Sequence, residues 1–149
     1  MEIKDNKIES IIENDYEKKL SDRELKKECF IYARTNFQGK SFENADTNRA
    51  ILVSRDGLDE WYNKTKSREQ SISIKKLEKI IIESIKVGSD IDRKARAFIE
   101  GYTYFNYEME INEKPFKVVM MTREIRNKDS KYYYHYLEDI KIEPNSGLA

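Results

Sequence analysis

Gly101-Tyr102-Thr103-Tyr104-Phe105-Asn106-Tyr107-Glu108-Met109-Glu110-Ile111 is the stretch that decides the fold. Its character alternates with a period of two, so Gly101, Thr103, Phe105, Tyr107, Met109 and Ile111 fall on one side of a β-strand. Tyr102, Tyr104, Asn106, Glu108 and Glu110 fall on the other. Asn112-Glu113-Lys114-Pro115 follows as a turn, Phe116–Ile125 reads as a second strand, Arg126–Ser130 as a polar turn and Lys131–Ile142 as a third strand. The chain therefore closes on a three-stranded antiparallel meander.

Upstream the period is helical. Ile8, Ile11, Ile12, Tyr16 and Leu20 predict an amphipathic first helix. Ser21, with Glu24 three residues on, is the sequence of a capping box, and Leu25, Cys29, Tyr32, Ala33 and Asn36 mark one face of a second helix that Gly39 ends. Ser41–Glu43 and Arg49–Val53 read as short strands around Asn44–Asn48. Asp56 is placed to cap a short helix with Leu58, Trp61 and Tyr62, and Asn63–Gln70 reads as a loop. Ser73 is expected to cap the clearest helix, with Ile74, Leu77, Ile80, Ile81 and Ile85 inward and Gly88 as its stop. Ser89–Arg96 reads as a charged connection. The expected fold is α+β: N-terminal helices packed on a curved antiparallel β-sheet that ends in the meander. Residues 1–38 are expected to form a helical accessory region, 39–143 the α+β domain, and 144–149 a loose tail.

Composition narrows the function classes. The 149 residues carry 28 basic and 28 acidic side chains, so any contact with nucleic acid must use a local basic patch. The lone Cys29 excludes an internal disulfide, fits a reducing cytoplasmic compartment, and at an apolar helical position reads as inert packing. A single histidine beside it speaks against a zinc or iron–sulfur centre. Five glycines, with no phosphate-loop spacing, leave no nucleotide cradle. No apolar run reaches membrane-span length. The expectation is no metal, no cofactor and no membrane.

Strand register turns the meander into a chemical argument. A two-residue loop at Glu113-Lys114 sets Asn112 opposite Pro115, Asn106 opposite Met121 and Tyr104 opposite Arg123. A second hairpin centred on Lys128 sets Arg123 opposite Tyr133, Met121 opposite His135 and Lys117 opposite Asp139. Phe105, Tyr107, Met109, Val118, Met120, Tyr132, Tyr134 and Tyr136 would then face the helices. The other face would gather Tyr104, Asn106, Glu108, Lys117, Arg123, Tyr133 and His135. A carboxylate, an imidazole and a guanidinium on one rigid face are the parts for metal-free RNA cleavage. Glu108 would take the 2′-hydroxyl proton, His135 would protonate the leaving 5′-oxygen, and Arg123 would stabilise charge on phosphorus. Tyr104, Tyr133, Lys117, Arg55 and Lys64 are the candidate substrate contacts. Each also has an ordinary structural reading: a histidine among packed tyrosines, solvent-facing strand glutamates, an arginine paired with a neighbouring carboxylate, and a solvated basic loop at Lys64-Thr65-Lys66-Ser67-Arg68.

Several segments resemble a known group. They are Gly39-Lys40-Ser41-Phe42, Ile51-Leu52-Val53-Ser54-Arg55-Asp56-Gly57-Leu58, the Lys75–Ile85 helix, Ile111–Val118, and Tyr133-Tyr134-His135-Tyr136-Leu137-Glu138-Asp139-Ile140. Over Gly39–Ile142 the chain resembles the barnase–EndoU–colicin–RelE-like nuclease domains found in large polyvalent proteins of phages and conjugative elements. The resemblance implies a helical layer before a curved antiparallel sheet, RNA cleavage as the activity, and His135 as the histidine of the final strand. Where that group often shows a Ser-His pair, this chain has Asn63-Lys64-Thr65-Lys66. The expected function is a mobile-element, metal-independent endoribonuclease with RNA, and an immunity or host protein, as partners. The rival expectation is a catalytically inactive module that binds or inhibits a host protein.

Overall fold

The computed structural model describes residues 8–91, 99–126 and 133–144. In chain order the elements are β1 (Glu9–Ile11), α1 (Asp15–Lys18), α2 (Asp22–Asn36), β2 (Ser41–Asn44), β3 (Arg49–Leu52), α3 (Arg55–Lys64) and α4 (Arg68–Ser73). A 3₁₀ turn over Ile74–Lys76 leads into α5 (Leu77–Glu83), then β4 (Ile85–Ile91), β5 (Ile99–Ile111), β6 (Lys114–Arg126) and β7 (Tyr133–Pro144). The class is α+β and the closing β5–β6–β7 meander is antiparallel, as the alternation requires.

The sheet runs β5-β6-β7-β3-β2, and the outer edge of β5 is shared by two short strands. β4 pairs antiparallel with Gly101–Asn106, and β1 runs parallel beside Met109–Ile111. β3 also runs parallel to β7. Beside the expected antiparallel pairs the sheet has two parallel ones, because the N-terminal segment and β3 enter it alongside strands that come much later in the chain. The sheet curls enough for its two ends to meet: the backbone amide of Lys86 in β4 donates to Asp46 Oδ2, in the turn between β2 and β3, at 3.0 Å.

One core lies between the helices and one face of this sheet. Leu25, Cys29, Ala33 and Phe37 from α2 and its end join Leu58 and Trp61 of α3. They meet Ile72, Ile74, Leu77, Ile80 and Ile81, and the sheet contributes Phe105, Met109, Val118, Met120, Leu137 and Ile140. Burial pushes the Cys29 thiol up to about 12, in keeping with a packing role. α3 seats so closely on β7 that a Cβ on Gly57 would lie 2.1 Å from the Leu137 carbonyl oxygen.

Capping chemistry sets the helix starts, and it corrects several expectations. The Ser21–Glu24 box is present in α2. A second box, Asn14 with Glu17, starts α1, so the expected first helix over Ile8–Leu20 is instead a strand and a single helical turn. Ile8, Ile12 and Tyr16 are exposed, because Glu9–Ile11 spends its backbone hydrogen bonds on β5 rather than on a helix. Ser54, not Asp56, caps α3 by accepting from Gly57 N. Ser67 caps α4 within the stretch expected to be a loop. The inward side chains of α4 include Gln70, Ser71 and Ser73, so it shows no apolar period. The helix expected to run from Ser73 to Gly88 stops at Glu83. Ile85 opens β4 more than half exposed, and Gly88 lies within that strand. Most of the expected Ser89–Arg96 connection lies outside the described residues.

Register is the correction with the largest consequence. The first hairpin turns on Asn112-Glu113, both with positive φ (52° and 64°), one residue earlier than expected. That is the two-residue turn whose twist suits flanking strands. Pairs on β5–β6 move by two, to Tyr104↔Met121, Tyr102↔Arg123 and Glu108↔Lys117, and the faces are kept. On β6–β7 the change is an odd number in the upper half, giving Arg123↔Tyr136, Glu124↔His135 and Thr122↔Leu137, with a bulge before Met121↔Asp139. An odd slip exchanges the two faces of a strand. Leu137 is buried there. The hairpin expected at Lys128 lies outside the described residues.

Candidate functional site

The expected face is not assembled as a site. Arg123 pairs with Tyr102, and Glu108 stands six residues farther along the same strand, about 20 Å away at strand rise. His135 opposes Glu124 on one side and Ile51 on the other. Arg123 and Glu124 are chain neighbours on a strand and belong to opposite faces. Of His135 only the backbone is described. Tyr104 opposes Met121. Lys117 opposes Glu108 and forms an ion pair with Glu143 at 3.4 Å. Tyr133 opposes Arg126. Arg55 and Lys64 sit at the two ends of α3, Arg55 near Asp56 (3.9 Å) and Lys64 held by Glu60 (2.9 Å).

A different cluster does converge. The curl of the sheet leaves a cleft of about 300 Å³ between the β2–β3 turn, β4, β5 and β6, lined by Asp46, Thr47, Arg49, Lys86, Thr103, Phe105 and Glu124. It continues into a second hollow of about 460 Å³ that shares Arg49, Lys86 and Glu124 and reaches Asp90 and Tyr102. Together they are in the size range of small-ligand sites.

The sequence builds this cleft locally. In β6 the inward stripe Val118-Met120-Thr122-Glu124 starts apolar and ends in a carboxylate. Val118, Met120 and Thr122 are buried, and Glu124 emerges at the rim with its side chain 23% exposed. Thr103, 4% exposed, donates its hydroxyl to Glu124 Oε1 at 2.8 Å and fixes the carboxylate's direction. Arg49, at the start of β3, brings Nη1 to 3.8 Å from the same oxygen while its side chain stays 57% exposed. Asp46 accepts from the Lys86 amide and so ties β4 to the turn. The result is the oriented carboxylate of Glu124 with Arg49, Lys86 and Asp46 around an open volume, and Phe105 as an apolar part of the lining. His135 is the register neighbour of the carboxylate.

Sequence reasoning missed Glu124, Arg49, Lys86 and Thr103. A usable signal was present: an acidic residue ending an apolar alternation is at the edge of a core, where a cleft can form. Arg49 and Lys86 carry no such mark, since a strand's first residue and a lysine after an isoleucine run read as ordinary.

A second group of charges is structural. Arg68 donates Nε and Nη2 to Glu13 Oε1 (3.0 and 2.6 Å). Its Nη1 donates to Asp22 Oδ1 (2.8 Å) and the Leu20 carbonyl (2.9 Å), and Nη2 also reaches the Glu17 carbonyl (2.9 Å). Asn112 donates to Glu13 Oε2 at 2.7 Å, and Lys75 meets Glu17 at 2.5 Å. The bond from Arg68 holds the Glu13 carboxyl below its ordinary value, against the opposing effect of burial. This clamp fastens the N-terminal segment to α4 and to the β5–β6 turn.

Among the described residues, no three His, Cys, Asp or Glu side chains cluster as a metal site requires, and no helix is long and apolar enough to cross a membrane. Residues 21–136 match the family described as large polyvalent protein-associated domain 3. No curated protein and no solved structure matches the chain.

Proposed function

Taking as premise that this chain belongs to the large polyvalent protein-associated domain 3 family, we propose that it is a metal-independent endoribonuclease of mobile-element origin whose reaction centre is the Glu124 cleft. The observation that carries the reading is the convergence of the Thr103-oriented carboxylate of Glu124 with Arg49 and Lys86 around an open cleft, with His135 opposite Glu124 in the ladder.

The chemistry follows from those groups. A phosphodiester in the cleft meets the cations of Arg49 and Lys86, and the planar guanidinium suits two phosphate oxygens. Glu124 takes the proton from the ribose 2′-hydroxyl, and the 2′-oxygen attacks phosphorus. The bond from phosphorus to the 5′-oxygen breaks, and the His135 imidazolium protonates that oxygen. The products are a 2′,3′-cyclic phosphate and a free 5′-hydroxyl, with the proton lost by one ribose balanced by the proton gained by the other. Arg49 and Lys86 act on the charge that builds on the phosphoryl oxygens. Thr103 is a positioning residue for Glu124. The catalytic pair is thus His135 with Glu124, and Arg49 takes the role first expected of Arg123.

The test is incubation of the purified chain with mixed-sequence RNA in EDTA. Cleavage that survives the chelator and is lost in His135→Ala supports the reading; cleavage that requires added magnesium overturns it. A non-catalytic binding module is favoured by the zero net charge and by exposed Ile85 and Val87 on β4. That reading predicts unhindered expression without an immunity partner and no RNA cleavage under any condition.

A further inference from the structure

Away from the cleft, the helical layer holds a smaller polar cavity of about 260 Å³ where the start of α2 meets the end of α3 and the start of α4. Arg23, Lys26 and Lys66 stand around it, with Tyr62 and the hydroxyl residues Thr65, Ser67 and Ser71. Two of these hydroxyls are already engaged: Thr65 donates to the Trp61 carbonyl at 2.6 Å, and Ser67 accepts from Gln70 N at 3.0 Å. Ser71 differs. It is 2% exposed, it lines the cavity, and its hydroxyl has no hydrogen-bond partner among the described residues. A hydroxyl that lines the cavity and makes no hydrogen bond to the described residues is placed to donate to a group that fills it.

The charges say which group. The one carboxylate on the lining, Asp22, is taken up by Arg68 Nη1 at 2.8 Å. Lys26 is held over the Tyr62 ring at 4.4 Å, which keeps its ammonium at the cavity mouth. Three cations against one neutralised carboxylate, with a hydroxyl donor inside, make a site for a compact oxyanion.

We infer that this cavity binds a phosphate group, held by Lys26, Lys66 and Arg23 and by a hydrogen bond from Ser71 Oγ. The phosphate is either free in solution or the terminal phosphate of an oligonucleotide. This site does not depend on the cleavage reading, and Glu124 takes no part in it. It gives a role to the basic stretch Lys64–Arg68, of which Lys64 is paired with Glu60 and Arg68 with Glu13 and Asp22.

The experiment is an NMR titration of the full chain with inorganic phosphate at constant ionic strength, following the backbone amides of Thr65–Ser71. Saturable shifts are expected there, weakened at least tenfold in Lys26→Ala/Lys66→Glu and severalfold in Ser71→Ala, but unchanged in Glu124→Gln. Circular dichroism checks that each variant is folded. A 5′-phosphorylated oligonucleotide that binds more tightly than its 5′-hydroxyl counterpart assigns the phosphate to a strand end; equal binding of the two, with inorganic phosphate still saturating, assigns it to a free anion. Shifts that do not saturate, that chloride reproduces, or that persist in Lys26→Ala/Lys66→Glu overturn the inference, whatever the outcome of the cleavage assay.

Discussion

The Arg68 clamp and the Glu124 cleft use the same residue types to opposite ends. In the clamp, Arg68 spends its donors on Glu13, Asp22 and two backbone carbonyls at 2.6–3.0 Å, and Glu13 is almost fully covered. In the cleft, Arg49 stands 3.8 Å from Glu124, more than half of its side chain is in solvent, and the space in front of both is open. A guanidinium buried among protein partners is closed to a ligand's phosphate, whereas one that fronts an open volume can be approached from solvent. Burial and open volume, rather than charge, separate the clamp from the cleft.

The sharpest way to break that contrast is to neutralise one group in each region. His135→Ala is expected to lower RNA cleavage by about 10²–10⁴-fold, the usual scale of a general acid, while unfolding is little changed. Arg49→Ala is expected to lower kcat/KM by about 10²-fold, as for a lost transition-state donor. Glu108→Gln, on the other face, should leave the rate within about twofold. Equal losses in Glu108→Gln and Arg49→Ala would erase the distinction between the two faces.

The clamp should answer in the opposite sense. Arg68→Ala strands the buried carboxylate of Glu13 and is expected to cost about 3 kcal/mol of stability, read by urea unfolding. Its pH dependence follows from the same bond. Because Arg68 lowers the Glu13 value from an ordinary 4.5, the stabilisation is complete above that pH and is lost as pH falls through the depressed folded value. Wild-type chain should therefore lose stability on acidification below about 4.5, and Arg68→Ala should flatten that slope. Ser21→Ala, which removes one capping bond of α2, should cost about 1 kcal/mol. Lys117→Ala, at an exposed pair with Glu143, should cost about 0.5 kcal/mol or less.

What could be read from the sequence divides along physical lines. The β5 alternation and the Ser21 box are local, and both are present as expected. The inward set Ile74, Leu77, Ile80 and Ile81 was legible for the same reason: a periodic apolar face survives even when helix ends are misplaced. Strand identity at Glu9–Ile11 was not, because it comes from a parallel partner about a hundred residues away. α4 escaped notice because Ile72 is the one apolar residue among its buried side chains, the others being serine and glutamine.

The site was illegible for a related reason. It depends on the parity of β7 against β6, and the bulge at Met121/Thr122 changes that parity without leaving a turn signal in the sequence. His135 therefore falls opposite Glu124 and not opposite Met121. Arg49 and Lys86 join Glu124 only through the curl of the whole sheet, which no single segment announces.

The most direct measurement is the yield of 2′,3′-cyclic phosphate ends from mixed RNA in EDTA, compared between the wild-type chain and Glu124→Gln at matched folded concentration. The account predicts abundant cyclic ends from the wild type and at least a hundredfold fewer from Glu124→Gln, with the two unfolding at similar urea concentrations. Equal yields from both proteins, or 3′-hydroxyl ends from the wild type, would contradict it.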